Sequence, residues 1–274
     1  MFAIAPRRVE RLFVIGLLLL ALAIMLTCLP RALLYPAPQA SVPEPPPPWR
    51  EVAVPLRGGT HVHAWWRASE DGPVVLYFHG NGENLGTLAQ GSLLTHLAAI
   101  GSATLVVDYP GYGRSPGRPS EDALSAAADA TLAWAEGHGG GRPVVACGWS
   151  LGAAIAVALT ARAGERVDAV ILASPWTRLE DVAAEHFPRF LLRLLLAERY
   201  DSLAAAAAVR VPALVLHGAR DGIIPARHGR CLARALAGPT RLVEVPDAGH
   251  NDLFSHPQVW REIAAFVSAP APPS

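Results

Sequence analysis

The chain of 274 residues contains no lysine, and all 23 of its basic residues are arginine. Without a lysine amine, the protein cannot form a Schiff base with pyridoxal phosphate, supply the lysine of a P-loop or use a serine-lysine dyad. The formal net charge is +0, and no concentrated basic face typical of nucleic-acid binding is evident. Nucleic acid is therefore not an expected partner.

Cysteine is scarce as well, with only three in the chain. Cys28, Cys147 and Cys231 are too few and too scattered for a disulfide framework or a zinc site, so we predict that they are small packing residues. His61 and His63 alternate on one strand but lack a third metal ligand. We expect neither a metal nor an organic cofactor. Lipid attachment at Cys28 is an alternative, although the residues before it fit a lipoprotein signal poorly.

Charged residues are absent from residues 12–30. As a helix this segment would be about 28 Å long, close to the ~30 Å hydrocarbon thickness of a bilayer. Arg7, Arg8 and Arg11 precede it and Arg31 follows, so the positive-inside rule predicts that residues 1–11 are cytoplasmic and the rest of the chain lies on the far side of the membrane. A cleaved signal peptide is the alternative. The length of the apolar run and the lack of a small-residue cleavage site favour a single-pass signal anchor.

Proline marks the boundaries of the folded domain. Seven prolines fall within residues 36–48, which excludes a helix or a central strand and would give a polyproline II segment spanning about 40 Å. We predict a semi-rigid tether at residues 31–49, which serves either as a spacer or as a featureless linker. The tail at residues 269–274 is also too rich in proline to fold, so residues 50–268 form the predicted catalytic domain.

Strand-like and helix-like segments alternate within residues 50–268. After two early strands, the repeated units predict an α/β fold with a mostly parallel eight-stranded sheet and helices on both faces. Strands are predicted at 51–56, 61–67, 73–78, 103–108, 143–148, 167–173, 213–216 and 242–245, and helices at 85–99, 120–136 and 151–163.

Residues 178–209 are longer than a simple crossover requires, and we predict that this lid segment forms a small helical lid. Its apolar side chains would line an acyl pocket, touch lipid or pack on the sheet. They are Phe187, Phe190, Leu191, Leu192, Leu194, Leu195 and Leu196.

The most informative motif is Gly-Trp-Ser-Leu-Gly at residues 148–152, which lies between a strand-like and a helix-like run. A serine at the tip of such a turn has a strained backbone and an exposed hydroxyl, and the flanking glycines avoid collisions with the strand and helix. This arrangement is a nucleophile elbow. We predict that Ser150 is the nucleophile.

Two further polar residues follow later predicted strands, at the sheet edge where an open parallel sheet has its site. Asp221 would orient an imidazole, and His250 would be the base that removes the proton of Ser150. Glu180 and Asp181 are alternative acids, and His256 is the nearest alternative base.

The loop after the third predicted strand has the sequence His-Gly-Asn-Gly-Glu-Asn at residues 79–84. We predict an oxyanion hole formed by the backbone N–H groups of Asn81 and Leu151. Gly80, Trp149 and Tyr109 are predicted to contact the substrate, with Tyr109 in a turn that borders the pocket. His79 is expected to hold this loop rather than to transfer protons.

Three further motifs are Asp-Tyr-Pro-Gly-Tyr-Gly-Arg-Ser at residues 108–115, His-Gly-Ala-Arg-Asp at 217–221 and Gly-His at 249–250. With these motifs and those above, the chain resembles the alpha/beta-hydrolase superfamily, in particular its membrane-anchored members. The resemblance covers about residues 51–267 and implies Ser150 as nucleophile, Asp221 as acid and His250 as base.

This resemblance implies a serine hydrolase that cleaves small-molecule or lipid acyl esters or thioesters. Its N-terminal helix would attach it to the membrane. A serine aminopeptidase or amidase and a non-catalytic binding protein are the alternatives.

Overall fold

The computed structural model describes residues 34–38 and 40–269, apart from the side chains at 193–195. The predicted cytoplasmic segment 1–11, membrane span 12–30 and nearly all of the tail at 269–274 lie outside the described residues. Within the described ranges, no helix has the length and apolar character needed to cross a membrane.

A single eight-stranded sheet forms the centre of the structure, with the strand order β1-β2-β4-β3-β5-β6-β7-β8. The first two strands form an antiparallel pair, and the second is also antiparallel to the fourth, whereas all other neighbours are parallel. The predicted mostly parallel eight-stranded sheet is confirmed. The strands are β1 (Arg50–Pro55), β2 (His61–Arg67), β3 (Val74–Phe78), β4 (Ala103–Val107), β5 (Val144–Trp149), β6 (Ala169–Ala173), β7 (Ala213–Gly218) and β8 (Thr240–Val245).

Helices cover both faces of this sheet because successive strand residues point to opposite sides. Val74, Leu76 and Phe78 of β3 join one hydrophobic core, and Val75 and Tyr77 join the other. The helices are α1 (Leu85–Gln90), α2 (Leu93–Ala99), α3 (Glu121–His138), α4 (Leu151–Ala163), α5 (Leu179–Ala183), α6 (Arg189–Leu195), α7 (Ser202–Ala206), α8 (Arg227–Ala235) and α9 (Pro257–Ser268). Side chains of α3, α4, α7 and α8 belong to the first core, and those of α1, α2 and α9 to the second.

The cysteines that the structure describes do not form a reactive pair. Cys147 is buried in the second core, where burial raises the pKa of its thiol to about 12, and Cys231 is exposed on α8. Within residues 34–38 and 40–269, no group of three or more His, Cys, Asp or Glu residues could hold a metal ion.

The predicted helix at residues 85–99 is divided into α1 and α2. Gly91 at the end of α1 has an extended backbone, and its N–H group donates to the Leu88 carbonyl. The chain re-enters a helix after Ser92. Glycine is a poor helix former, and the break lets both short helices bury leucines against the same face of the sheet.

The proline-rich segment differs from the predicted spacer because three of its described side chains pack on the domain. Tyr35, Val42 and Trp49 are buried. The amide of Asn84 donates hydrogen bonds to the carbonyls of Pro38 and Ala40, at 3.3 and 3.0 Å. Lack of regular secondary structure therefore does not make this segment a free-standing rod.

The lid segment contains three short helices, α5, α6 and α7, between β6 and β7. Its predicted apolar side chains do not share one environment. Leu192 is buried, whereas Phe187 and Phe190 are exposed. The lid segment therefore combines packing on the domain with exposed apolar surface.

Candidate active site

Ser150 lies between the end of β5 and the start of α4, with φ 55° and ψ −114°. Its backbone N–H donates to the Ala173 carbonyl on the neighbouring strand, at 2.9 Å. A non-glycine residue with positive φ is strained and persists only where the surrounding structure holds it. The strand, turn and helix of a nucleophile elbow are therefore present.

The two glycines of the elbow are required by close approach of the backbone. A Cβ atom at Gly148 would lie 2.0 Å from the Gly152 carbonyl oxygen, and one at Gly152 would lie 1.9 Å from the Phe78 carbonyl oxygen. Both collisions involve backbone atoms, which cannot swing away as a flexible side chain can. The expectation that these positions exclude larger residues is confirmed.

Ser150, His250 and Asp221 form one hydrogen-bonded chain. His250 Nε2 is 3.1 Å from Ser150 Oγ, and His250 Nδ1 is 2.7 Å from Asp221 Oδ2. An ionised carboxylate only accepts hydrogen bonds, so Nδ1 donates to Asp221 and leaves Nε2 free to accept the Ser150 hydroxyl proton. All three residues are at most 8% exposed, which excludes most competing water.

Asp221 remains ionised because its hydrogen bonds outweigh its burial. Burial alone would raise the pKa of its carboxyl, but hydrogen bonds from His217, His250 and the Ile224 N–H group hold that pKa well below its usual range. The Oδ1 atom accepts from the backbone N–H groups of Ile223 and Ile224 at 2.9 and 2.7 Å. These bonds fix the carboxylate in the orientation that His250 requires.

The predicted oxyanion-hole residues lie on two segments that touch each other. Leu151 is the first residue of α4, where a backbone N–H group has no acceptor within the helix and the helix dipole favours negative charge. Gly152 approaches the carbonyl of Phe78, the last residue of β3, and that of His79, two residues before Asn81. This contact brings the loop at residues 79–84 against the elbow.

Aromatic side chains behind this loop fix its shape. The Tyr112 hydroxyl donates to Asn81 Oδ1 at 3.0 Å, and the Tyr109 hydroxyl donates to the His79 carbonyl at 2.7 Å. The rings of His79 and Tyr109 have centroids 4.1 Å apart. His79 is fully buried, and burial lowers its pKa, so its neutral ring donates from Nδ1 to the Gly80 carbonyl.

Tyr109 does not fit its predicted role as a substrate contact. The residue is 1% exposed and its hydroxyl is already bonded to His79, so it supports the loop from behind. Gly80 and Trp149 lie closer to the reacting groups. A Cβ atom at Gly80 would lie 2.6 Å from the Trp149 ring, and the centroid of that ring is 5.3 Å from the His250 centroid.

Glu83 is a polar residue of the site that the sequence motif provides no reason to single out. Its Oε2 atom accepts the Gly80 N–H group at 2.8 Å. Burial raises the pKa of Glu83 to about 7, and the Gly80 hydrogen bond opposes that shift. Glu83 therefore holds the peptide between His79 and Gly80, one residue before the peptide that carries the Asn81 N–H group.

The alternative acids and base have other neighbours. Asp181 accepts the Thr177 hydroxyl at 3.2 Å and lies 3.5 Å from Arg189, and Glu180 lies 3.9 Å from Arg189. His256 precedes α9, with Nε2 3.8 Å from an oxygen of Asp252.

Tyr112 contacts Asn81 and His217 contacts Asp221, although neither residue type by itself predicts a supporting role. Both lie within sequence motifs, at residues 108–115 and 217–221. These motifs indicate that the two residues are near the site, but not which atoms they contact.

Comparison with known proteins agrees with this architecture. The family model of the alpha/beta hydrolase fold matches residues 73–204. The chain is 38% identical over 211 residues to the uncharacterized protein Rv2307c of Mycobacterium tuberculosis, covering 75% of this chain and 74% of that protein.

A second relative is the lysophosphatidylserine lipase ABHD12 of Danio rerio, which is 29% identical over 227 residues, covering 73% of this chain and 59% of the lipase. The fold is similar to that of the esterase Pf2001 of Pyrococcus furiosus, with a TM-score of 0.69, 17% identity and coverage of 84% of this chain and 95% of the esterase. From its fold, its ordered motifs and these similarities, the chain belongs to the alpha/beta-hydrolase superfamily.

Proposed function

We propose that this protein is a serine hydrolase that cleaves carboxylic ester or thioester bonds through an acyl-enzyme. The observation that carries the proposal is the chain of hydrogen bonds from Ser150 through His250 to Asp221, with distances of 3.1 and 2.7 Å. A hydroxyl becomes an effective nucleophile only when a base removes its proton during attack. This chain of contacts supplies the base and the group that orients it.

The chemistry follows from these contacts. Ser150 Oγ attacks the carbonyl carbon while its proton passes to His250 Nε2, and Asp221 stabilises the resulting imidazolium. The N–H groups of Leu151 and Asn81 receive the developing oxyanion. The imidazolium then protonates the leaving group, and water releases the acid from the acyl-serine with His250 again acting as base.

Lipid-like acyl substrates are the class that we propose. Support comes from the similarity to a protein named as a lysophosphatidylserine lipase and from the uncharged N-terminal run. We also propose that residues 12–30 anchor the protein, with the catalytic domain on the extracytoplasmic side. Membrane fractionation with intact-mass measurement tests the anchor, because a soluble product that begins after Pro30 would contradict it.

A fluorophosphonate probe tests the nucleophile. We expect labelling of Ser150 in the folded protein and none in the Ser150→Ala variant. Ser174 offers a matched control because it also follows a strand with positive φ, at 45°, and is buried, so Ser174→Ala should keep the labelling. Folded protein that the probe fails to label would refute the proposed function.

A panel of p-nitrophenyl acyl esters, thioesters and amino-acid amides then measures the substrate class. We expect turnover of the esters and thioesters to exceed that of the amides. Preferential turnover of amides would favour the aminopeptidase alternative.

A further inference from the structure

Three large apolar side chains are exposed among those that the structure describes. They are Phe187, Phe190 and Ile223, with exposed fractions of 57%, 77% and 45%. Phe187 and Phe190 flank the start of α6 in the lid segment, and His186 Nε2 donates to the Ile223 carbonyl at 3.0 Å. We call these three residues the apolar patch. Exposed apolar groups that gather at one place indicate a contact surface.

The apolar patch adjoins the loop that carries Asp221. Ile223 donates its N–H group to Asp221 Oδ1, and the lid segment begins beyond the carboxyl end of β6. The patch therefore lies at the same edge of the sheet as the active site.

The N-terminal part of the described chain is attached to the lid segment. The Tyr35 and Tyr200 hydroxyls are 2.7 Å apart, and both residues are buried. The Trp176 indole N–H donates to the Tyr200 carbonyl at 3.1 Å. The part of the lid segment that contains Tyr200 therefore contacts Tyr35, which follows the predicted membrane anchor in the chain.

The length of the connecting chain limits how far the lid segment can lie from the membrane. Pro30, at the end of the predicted span, precedes Tyr35 by five residues. Five residues extend at most about 18 Å, and Tyr35 is itself buried on the domain, so the residues after it add no reach. If residues 12–30 span the bilayer, the lid segment lies beside its surface.

We propose that the apolar patch inserts into the interface of the bilayer that holds the predicted N-terminal anchor. The apolar patch binds the lipid surface itself. Its phenylalanine and isoleucine side chains enter the interface in the way that the apolar face of an interfacial helix does. The proposal goes beyond hydrolysis, because it depends on the anchor and the exposed side chains rather than on Ser150.

Charges near the patch indicate that this contact is mainly apolar. Arg189 lies 3.5 Å from Asp181, and Arg227 pairs with Glu185. Arginines that face carboxylates attract anionic headgroups less than unpaired arginines would. Membrane contact by the patch should therefore depend little on salt.

A depth-quenching experiment on the full chain in phosphatidylcholine vesicles tests the proposal. The protein carries Ser150→Ala, Cys28→Ser and Cys231→Ser, so that turnover stops and Cys147, which is buried, is the only native thiol left. A fluorophore is attached at Phe190→Cys in one sample. The matched control is Glu165→Cys, an exposed position before β6 at the opposite edge of the sheet.

We expect lipids with a quencher in their acyl chains to quench the probe at position 190 several times more than the probe at 165. Raising the salt from about 0.05 to about 0.5 M should leave this difference unchanged. Equal quenching at the two positions, a loss of quenching in salt, or protein that does not stay with the vesicles would overturn the proposal.

Activity gives a second measurement. Phe187→Ser with Phe190→Ser should lower hydrolysis of a long-chain ester dissolved in vesicles about tenfold and leave hydrolysis of a soluble short-chain ester unchanged. The matched control, Phe187→Leu with Phe190→Leu, should retain both activities. Equal losses on the two esters would contradict membrane contact. Absence of hydrolysis in the unmodified chain refutes the proposed function, but the quenching result still decides the membrane contact.

Discussion

The elbow at residues 148–152 and the lid segment both adjoin the active-site edge of the sheet, but different forces hold them. Backbone atoms of the elbow approach so closely that a single added methyl group would collide at 1.9 to 2.0 Å. The lid segment is held partly by exposed ion pairs such as Arg178 with Asp201, at 3.0 Å. The proposed nucleophile therefore lies where close backbone contacts leave little room for change, whereas solvent reaches some of the contacts that hold the lid segment.

The largest expected effect comes from the buried carboxylate beside the elbow. Asp221→Asn should lower kcat/KM about 10⁴-fold, because an amide favours the wrong tautomer of His250 and cannot stabilise the imidazolium. Ester hydrolysis at pH 8 measures this loss. Asp181→Asn in the lid segment is the control, and comparable losses in both variants would erase the distinction between the two regions.

The next effect is on stability, and two helical glycines provide a matched pair. Gly152→Ala should destabilise the fold by about 3 kcal/mol or more, since its Cβ atom meets backbone. Gly137→Ala in α3, where the added atom meets nothing within 4 Å, should stabilise it by about 0.5–1 kcal/mol. Urea unfolding measures the free energy of unfolding of both variants. An unchanged free energy of unfolding in Gly152→Ala would show that the elbow can relax.

A smaller effect is expected at the loop of residues 79–84, which meets the elbow. Glu83→Gln should lower kcat about threefold to tenfold at pH 8, because a neutral amide oxygen accepts the Gly80 N–H more weakly than a carboxylate does.

The pH profile gives the sign of this effect. Burial raises the pKa of Glu83 to about 7. The carboxylate form, and with it the contribution of Glu83 to kcat, therefore appears as the pH rises through that value. The plot of kcat against pH for Glu83→Gln should lack this rise. Glu165→Gln, at an exposed position, is the control. If the pH profiles of the variant and of the unmodified protein are identical, Glu83 has no role in activity.

The smallest effect is expected from the ion pairs of the lid segment. Arg178→Ala should change the free energy of unfolding by less than about 1 kcal/mol, because solvent screens the half-exposed pair. Urea midpoints measure the change. A loss as large as that of Gly152→Ala would mean that the lid segment is as tightly determined as the elbow.

Local sequence patterns predicted much of this molecule. Apolar runs located all eight strands, since each strand is short and bounded by turn residues and the six inner strands are largely buried. Glycines around Ser150 predicted the elbow because the geometry of a strand turning sharply into a helix excludes side chains on both sides of the serine.

Other features could not be predicted because they depend on contacts between distant segments. The carboxyl group of Glu83 matters because it accepts the Gly80 N–H group, and Tyr109 supports the loop from behind because its hydroxyl meets the His79 carbonyl. Proline content predicted an extended chain over residues 36–48, but not that Asn84 would bind that chain to the domain.

The number of strands, the elbow and the positions of Ser150, Asp221 and His250 along the chain follow from local patterns, because backbone sterics and apolar periodicity act over a few residues. The 3.1 and 2.7 Å contacts among those three side chains, the packing of the proline-rich segment and the exposure of Phe190 arise only when the sheet and helices assemble. Burial, charge and distance between remote residues are properties of the assembled fold, and they decide which side chains can act together.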